Sequence, residues 1–484
     1  MWDLARFRKR TRRSFLGAGL GSVAALSLPL RKTHAVGELP RAKVLVVGAG
    51  LSGMYAARLL EQAGYDVQIV EARVRAGGRV LTLDDVPGRP DAGGSQIGPT
   101  YARFIHLAEQ LDVELTNSTA SLPLDFIVGD EIIKRNEWAT HTSNQLAEQH
   151  RSITPDRLLT QLIGKSPYAT LADWHKADFA NLDFSAVQFF KELGVNEFGL
   201  RLLDANNAYG NSLARTSMLT LYHVLRNIEQ AIAMGQPLLQ VRGGTSRFVE
   251  ALATGLNNKP VLNKAVRKLI HSANSIQAVC RDGSTFEANV VVFTTPVPAL
   301  RQIEFEPNLP SALVSGFSEV NYHKVLQCYL SYPLSPSMDS IPNGGYWTDG
   351  LLGRVFQKAL PSEGKTLSTI WINGDSCDAI DQLPDEDLKR HIIGEFAKTI
   401  PGMADMDKVE FHRLVRWHKD SDSHGSWVVW QPGQIRKYFD AFRQSYGNIY
   451  FAGAHTALSN RGLEAALESA ERVTAEVLAS QAIQ

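Results

Sequence analysis

Residues 43–71 constrain this chain more than any other stretch. Lys43-Val-Leu-Val-Val47 is a short apolar run of β type, and Gly48-Ala-Gly50-Leu-Ser-Gly53 follows it directly. Residues 51–63 read as a helix, with Met54, Ala57 and Leu60 on one face. Val67-Gln-Ile-Val70 is a second strand, ending at Glu71. A strand, a GxGxxG turn, a helix, a strand and an acid in that order form a dinucleotide-binding unit. Gly48 allows the tight turn, Gly50 lets the backbone approach a pyrophosphate, and Gly53 lets helix and strand pack closely. The helix N-terminus, with Ser52 in its first turn, offers N–H groups and a positive dipole end to phosphates. Glu71 can accept hydrogen bonds from ribose hydroxyls.

That unit alone does not separate NAD from FAD. The continuation does. After Ala72-Arg73 come Arg75-Ala-Gly77-Gly78-Arg79 and Asp91-Ala-Gly-Gly94-Ser95-Gln96-Ile-Gly-Pro-Thr100. NAD needs no second Gly-Gly-Arg loop, whereas an extended FAD has a second phosphate and a flavin to hold. Arg79 can pair with the pyrophosphate.

The chain has 484 residues, 44% apolar and 21% charged, an ordinary globular composition that argues against disorder, collagen and a disulfide scaffold. Its length gives a prior of roughly two to three domains. Cys280, Cys328 and Cys377 form no CxxC pair and no metal-ligand spacing, so they read as buried thiols and no metal is expected.

The formal charge is zero, from 50 Lys+Arg and 50 Asp+Glu. It is unevenly placed. Residues 1–35 hold eight basic groups and one acid, which leaves 42 basic and 49 acidic groups, a net of −7, on the rest. An acidic remainder argues against nucleic-acid binding. In the first 35 residues a basic cluster from Arg6 to Arg13 precedes an uncharged run from Phe15 to Leu30, then Thr33-His34-Ala35 with small residues for cleavage before Val36. That is the layout of an export signal. Thr11-Arg12-Arg13-Ser14-Phe15-Leu16 is similar to a twin-arginine signal, which implies the twin-arginine export machinery as a partner and a periplasmic location. The apolar run is about 16 residues, short of the ~20 a spanning helix needs, so the mature form is expected to have no membrane segment.

Four stretches, in order along the chain, resemble the flavin monoamine oxidase family: Gly48–Arg79; Gly93–Arg103; Arg242-Gly-Gly-Thr245 with Val290–Thr295 and Pro296; and Trp417–Arg472, which contains Gly425-Ser-Trp427, Tyr450-Phe-Ala-Gly453 and Glu468–Arg472. The resemblance implies an α/β fold with a Rossmann-like FAD domain of three discontinuous segments, 40–115, 240–308 and 416–484. An α+β substrate domain, 116–239 and 309–415, is inserted between them, and 1–35 is the signal peptide. It implies FAD contacts from Gly48, Gly50, Ser52, Gly53, Glu71, Arg73, Gly78, Arg79, Gly94, Ser95, Gln96, Val266, Gly453 and Leu463.

The family's catalytic features carry over one at a time. A lysine on a substrate-domain strand holds a water beside flavin N5. The matching strand is Tyr322–Leu330, which makes Lys324 the choice and Gln327 the alternative. Two aromatic side chains sandwich the amine. Trp427 matches the first, but the second falls at Gly462, which leaves one wall of the cage open. Ser426 stands where covalent members bond the flavin through cysteine, so FAD is expected to be non-covalent. His455 stands where the family usually has an acid. The last helix, about Leu463 to Leu478, points its N-terminus at the flavin's pyrimidine edge, where negative charge gathers on reduction.

The implied reaction is oxidation of a primary or secondary amine to an imine, then hydrolysis to an aldehyde or ketone, with O2 or a redox protein as acceptor. Bacterial members that oxidise nicotine or its ring-opened amine, pseudooxynicotine, share the export signal, the cage tryptophan and the missing second aromatic. One rival is an L-amino-acid oxidase on the same fold. Its carboxylate-binding arginine would fall at Ile97, although Arg103 or Arg242 could substitute. The other rival is a flavin-binding protein without turnover. A homodimer is compatible with either.

Overall fold

The strand residues of the first unit are apolar on both sides, which suits a parallel strand covered on both faces. Val44, Leu45 and Val46 are at most 1% exposed. Lys43–Val47 lies at the centre of a four-stranded parallel sheet, between Asp66–Val70 and Val290–Phe293, with Ile449–Phe451 outside the latter. Three separated stretches of sequence therefore build one sheet. The helix Leu51–Gln62 covers one face and packs on the C-terminal helix Gly462–Gln481, where Ser52 Oγ and Ser469 Oγ lie 2.9 Å apart. This last helix is a turn or so longer than expected, and Leu467, Ala470, Val473 and Val477 form its buried stripe.

The computed structural model describes residues 42–118, 123–273, 275–334, 344–401, 403 and 406–481. The expected export segment, 1–35, lies outside the described residues. Cys280, Cys328 and Cys377 are buried and free. Among the described residues no helix is long and apolar enough to cross a membrane.

A second four-stranded sheet, in the order Glu304–Glu306, Val266–His271, Ile276–Cys280, Thr285–Ala288, follows the first in space. A seven-stranded sheet forms the other large layer. Its order is Glu410–Arg416, Val325–Pro333, Lys365–Asn373, Arg354–Leu360, Gly345–Thr348, Asp125–Val128, Glu131–Ile133. Helices between Leu158 and Met234 pack beside it; the longest, Met218–Met234, is capped by Ser217.

The strand expected over 322–330 is broken in two. Asn321–Tyr322 pairs with Val428–Val429, and Val325–Pro333 joins the seven-stranded sheet. His323 and Lys324 lie between. The His323 N–H donates to Trp427 O at 2.7 Å, and the Lys324 N–H donates to Asn211 Oδ1 at 2.8 Å. These bonds tie the break to the segment that carries Trp427.

Candidate active site

One long cavity runs from the first βα turn to the seven-stranded sheet. At one end it is lined by Gly48, Gly50, Ser52, Glu71 and Arg73, and by Lys264, Val266, Arg281 and Gln302. The middle is lined by Gly78, Arg79, Gly94 and Gly453. The other end is lined by Val325, Gln327, Trp371, Trp417, Ser426, Trp427, Gly462 and Leu463.

The turn end fits a pyrophosphate. Helix Leu51–Gln62 has no side-chain cap at Gly50 and no acid in its first turn, so its first N–H groups are left for a ligand. A Cβ on Gly50 would meet no protein atom within 4 Å and would enter the cavity. A Cβ on Gly53 would lie 2.0 Å from Gly48 O, so that glycine serves close packing instead. Glu71 is buried; its carboxylate accepts from the Ala49 N–H at 2.7 Å and the Arg73 N–H at 3.0 Å. Each oxygen keeps a lone pair for a hydroxyl. The Arg73 guanidinium is held by Asp420 and approaches Asp422. Arg79 donates to Ser426 O at 2.7 Å and lies over the Tyr322 ring, which joins the middle of the cavity to the far end.

The far end is walled by tryptophans. Trp427 stacks on His323, with centroids 4.8 Å apart and planes 13° apart. Burial pushes the His323 pKa down to about 4, so this backing ring is neutral at pH 7. The Trp427 Nε1–H is buried without a partner, an orphan donor beside the cavity. Gln327 faces Trp371 across the antiparallel pair. With its amide oriented to satisfy both neighbours, Gln327 donates to Ala92 O at 2.7 Å and accepts from Trp371 Nε1 at 2.9 Å. Trp417 Nε1 also donates to Ala92 O, at 2.6 Å.

Lys324 requires a correction. It does not line the cavity. Its ammonium lies 2.7 Å from Asp378 and 3.4 Å from Asp375, on the opposite side of the strand. Val325 and Gln327, two apart on the strand Val325–Pro333, share the cavity face. Lys324 lies in the break before that strand, where its N–H goes to Asn211 and its ammonium to Asp375 and Asp378. Ser95 and Gln96 also fall outside: neither lines the cavity, and Gln96 is exposed. Each of the other expected positions except Gly53 contributes to the lining.

Gly462 adopts φ +60, and a Cβ there would lie 2.8 Å from the Tyr101 hydroxyl. Gly462 lines the same cavity as Trp427 without a side chain, with the Tyr101 hydroxyl beside it. Among the described residues, no cysteine or histidine lines the cavity. His455 is buried nearby, 3.2 Å from the Tyr322 hydroxyl; burial and the neighbouring Arg79 and Arg472 push its pKa down to about 3. Ile97, Arg103 and Arg242 are spoken for. Ile97 is wholly buried and bridges to Leu239, Arg103 pairs with Glu464 and Glu471, and exposed Arg242 pairs with Glu114.

Sequence reasoning did not single out Trp371, Lys264, Arg281 and Gln302. They carry no local motif: Trp371 reaches the cavity through sheet pairing, and Lys264, Arg281 and Gln302 from turns and loops that flank strands.

A family model described as flavin containing amine oxidoreductase matches residues 51–478. Among curated relatives, an L-amino-acid oxidase of Siganus canaliculatus is 25% identical, with 90% of this chain and 85% of that protein covered. A putative flavin-containing monoamine oxidase of Mycobacterium tuberculosis is 27% identical, with 93% and 100% covered. Among solved structures, wild-type putrescine oxidase bound to putrescine superposes with a TM-score of 0.74 at 19% identity, over 91% of this chain and 99% of that one. Cyclohexylamine oxidase from Brevibacterium oxydans gives 0.74 at 20% identity, with the same coverage. At these identities the two structures speak to the fold.

Proposed function

The chain belongs to the flavin containing amine oxidoreductase family, and from that premise we propose that it oxidises a primary or secondary amine to an imine, released as an aldehyde or ketone after hydrolysis. The observation that carries this reading is the chemical contrast between the two ends of one cavity. The turn end offers uncapped helix N–H groups, Glu71 and Arg73. Among the described residues, the tryptophan end offers no acid and no base, but aromatic walls, apolar side chains, the amide of Gln327 and the hydroxyl of Ser426.

FAD, when bound, accepts a hydride equivalent from the amine's α-carbon. Gly50, Glu71 and Arg73 would hold its adenosine and phosphate portion, Arg79 and Gly94 its middle, and Leu463 with the helix N-terminus its ring. Trp427 and Trp371 desolvate the amine. A site without a carboxylate favours the neutral amine, the form with a free lone pair on nitrogen. The lining acids, Glu71 and Asp422, both sit at the turn end beside Arg73. Gln327 holds Trp371, and His323 holds Trp427, so neither wall has to reorganise during the reaction.

Several finer points belong to the same proposal. FAD is non-covalent, because Ser426 cannot form a thioether and no cysteine lines the cavity. Acid precipitation should release all the flavin; flavin left on the precipitate refutes this. Amines are preferred over α-amino acids, because Ile97, Arg103 and Arg242 offer no free guanidinium. The bare wall at Gly462 suits a bulky amine of the nicotine or pseudooxynicotine kind. The first 35 residues direct export through the twin-arginine route, and O2 or a redox protein takes the electrons. Bleaching of the flavin without oxygen, across a panel of amines and amino acids, tests the central claim. Bleaching by amino acids alone would sink it.

A further inference from the structure

The seven-stranded sheet places one row of side chains on a single face. Register runs from Gln327 to Trp371, then to Arg354, then to Trp347. The first two line the cavity. Arg354 is the next residue, two strand spacings from Gln327, about 10 Å. Its guanidinium has little to hold. One nitrogen reaches Asn206 O at 3.5 Å, and Nε is buried with no partner. The nearest acid is Asp156, which Arg135 already holds.

A second arginine approaches the same place from another element. Arg461 immediately precedes Gly462, which lines the cavity. Its guanidinium lies 5.7 Å from the centroid of the Tyr209 ring, and Tyr209 also neighbours Arg354. Neither arginine forms an ion pair with a described residue. Both side chains are partly exposed, but a buried donor such as Arg354 Nε is costly without an acceptor, and a ligand can supply one. Two such cations about one tyrosine, one strand beyond Trp371, are arranged to receive oxygen acceptors in bidentate fashion.

The geometry points to a second subsite, formed by Arg354, Arg461 and Tyr209, that binds an oxygen acceptor at the far end of the substrate. The acceptor is a carboxylate or a carbonyl, separated from the reacting amine by several bonds. An α-carboxylate is too close to the amine to reach it. This subsite rests on the amine reading for its purpose, but its binding can be measured without turnover.

The test uses FAD-loaded enzyme and three six-carbon probes without an amine: hexanoate, hexanamide and hexan-1-ol. Each is titrated while the flavin spectrum is followed. The acid or the amide should bind at least about tenfold tighter than the alcohol, the usual gain from one charge-assisted hydrogen bond. A preference for the acid alone identifies a carboxylate; equal preference for the amide identifies a carbonyl. Arg354→Met and Arg461→Met should each reduce that preference at least about tenfold, and Arg354→Lys should keep part of it. Equal binding of all three probes overturns the subsite, as does a preference that survives both methionine variants. Oxidation of 6-aminohexanoate and hexylamine is then measured separately. If neither is oxidised while hexanoate still binds through the arginines, the amine reading fails and the subsite stands.

Discussion

At the scale of single residues, the break at His323–Lys324 decides which side chain meets the substrate. Gln327 bridges Ala92 and Trp371 inside the cavity, while Lys324 faces Asp375 and Asp378 outside it. Lys324→Met should therefore leave anaerobic flavin reduction within about twofold of wild type. The partly exposed ion pairs it removes contribute no more than about 1 kcal/mol. Gln327→Leu strands the Trp371 N–H, while Ala92 O keeps its bond from Trp417, so the cost is roughly 1–3 kcal/mol for the one buried group left unpaired. It should lower the unfolding midpoint and slow flavin reduction. The opposite pattern, with Lys324→Met slow and Gln327→Leu normal, would restore the lysine assignment. The sequence contained the apolar run that continues the strand through Gln327. It did not contain the break at His323–Lys324, because that break is made by hydrogen bonds to Trp427 and Asn211, which are distant in the chain.

At the scale of elements, the first βα unit was the most legible part of the molecule. Its order of strand, glycine turn, helix and strand is local in sequence and the glycine spacing specifies it, although its first strand also pairs with Val290–Phe293 and its helix packs on Gly462–Gln481. Its glycines nevertheless differ in kind, and two variants expose this. In Gly50→Ala the new methyl group meets no protein atom. The chain should fold with an unchanged apoprotein melting temperature, yet its affinity for FAD should fall at least about tenfold, because the methyl group takes space beside the phosphates. In Gly53→Ala the methyl group meets Gly48 O at 2.0 Å, so the helix must move off the strand. That variant should lose stability with or without FAD. Thermal melts of both apoproteins, with flavin titrations, separate the cases; equal loss of stability in both would refute the distinction. Trp371, Arg354 and Arg461 were illegible for the opposite reason. They come together only when three elements from different parts of the chain pair and pack, and no local spacing announces that.

At the scale of the whole molecule, acid stability reports how many histidines fold neutral. Burial pushes His223 and His455 down to about 3 and His323 to about 4. Below about pH 6.5 each takes up a proton when the chain unfolds but not while it stays folded. The unfolded state then binds more protons, so stability is lost as pH falls from 6.5 toward those folded values. Each histidine contributes up to about 1.4 kcal/mol per pH unit in that window. Partly buried Asp91 and buried Glu464 have raised pKa values and act in the opposite direction, so the slope of the wild-type curve alone cannot isolate the histidines. A variant can. His223 stacks on Trp174 at 4° and meets Ser459 O at 3.0 Å, away from the cavity lining. His223→Gln keeps a donor for that carbonyl and removes the titrating ring. Between pH 6.5 and 5 the variant should lose about 2 kcal/mol less unfolding free energy than wild type does, read from urea unfolding of the FAD-loaded protein at each pH. Parallel curves would mean that His223 takes up its proton in the folded chain as it does in the unfolded one, so that neither burial of its ring nor Arg461 holds the proton off.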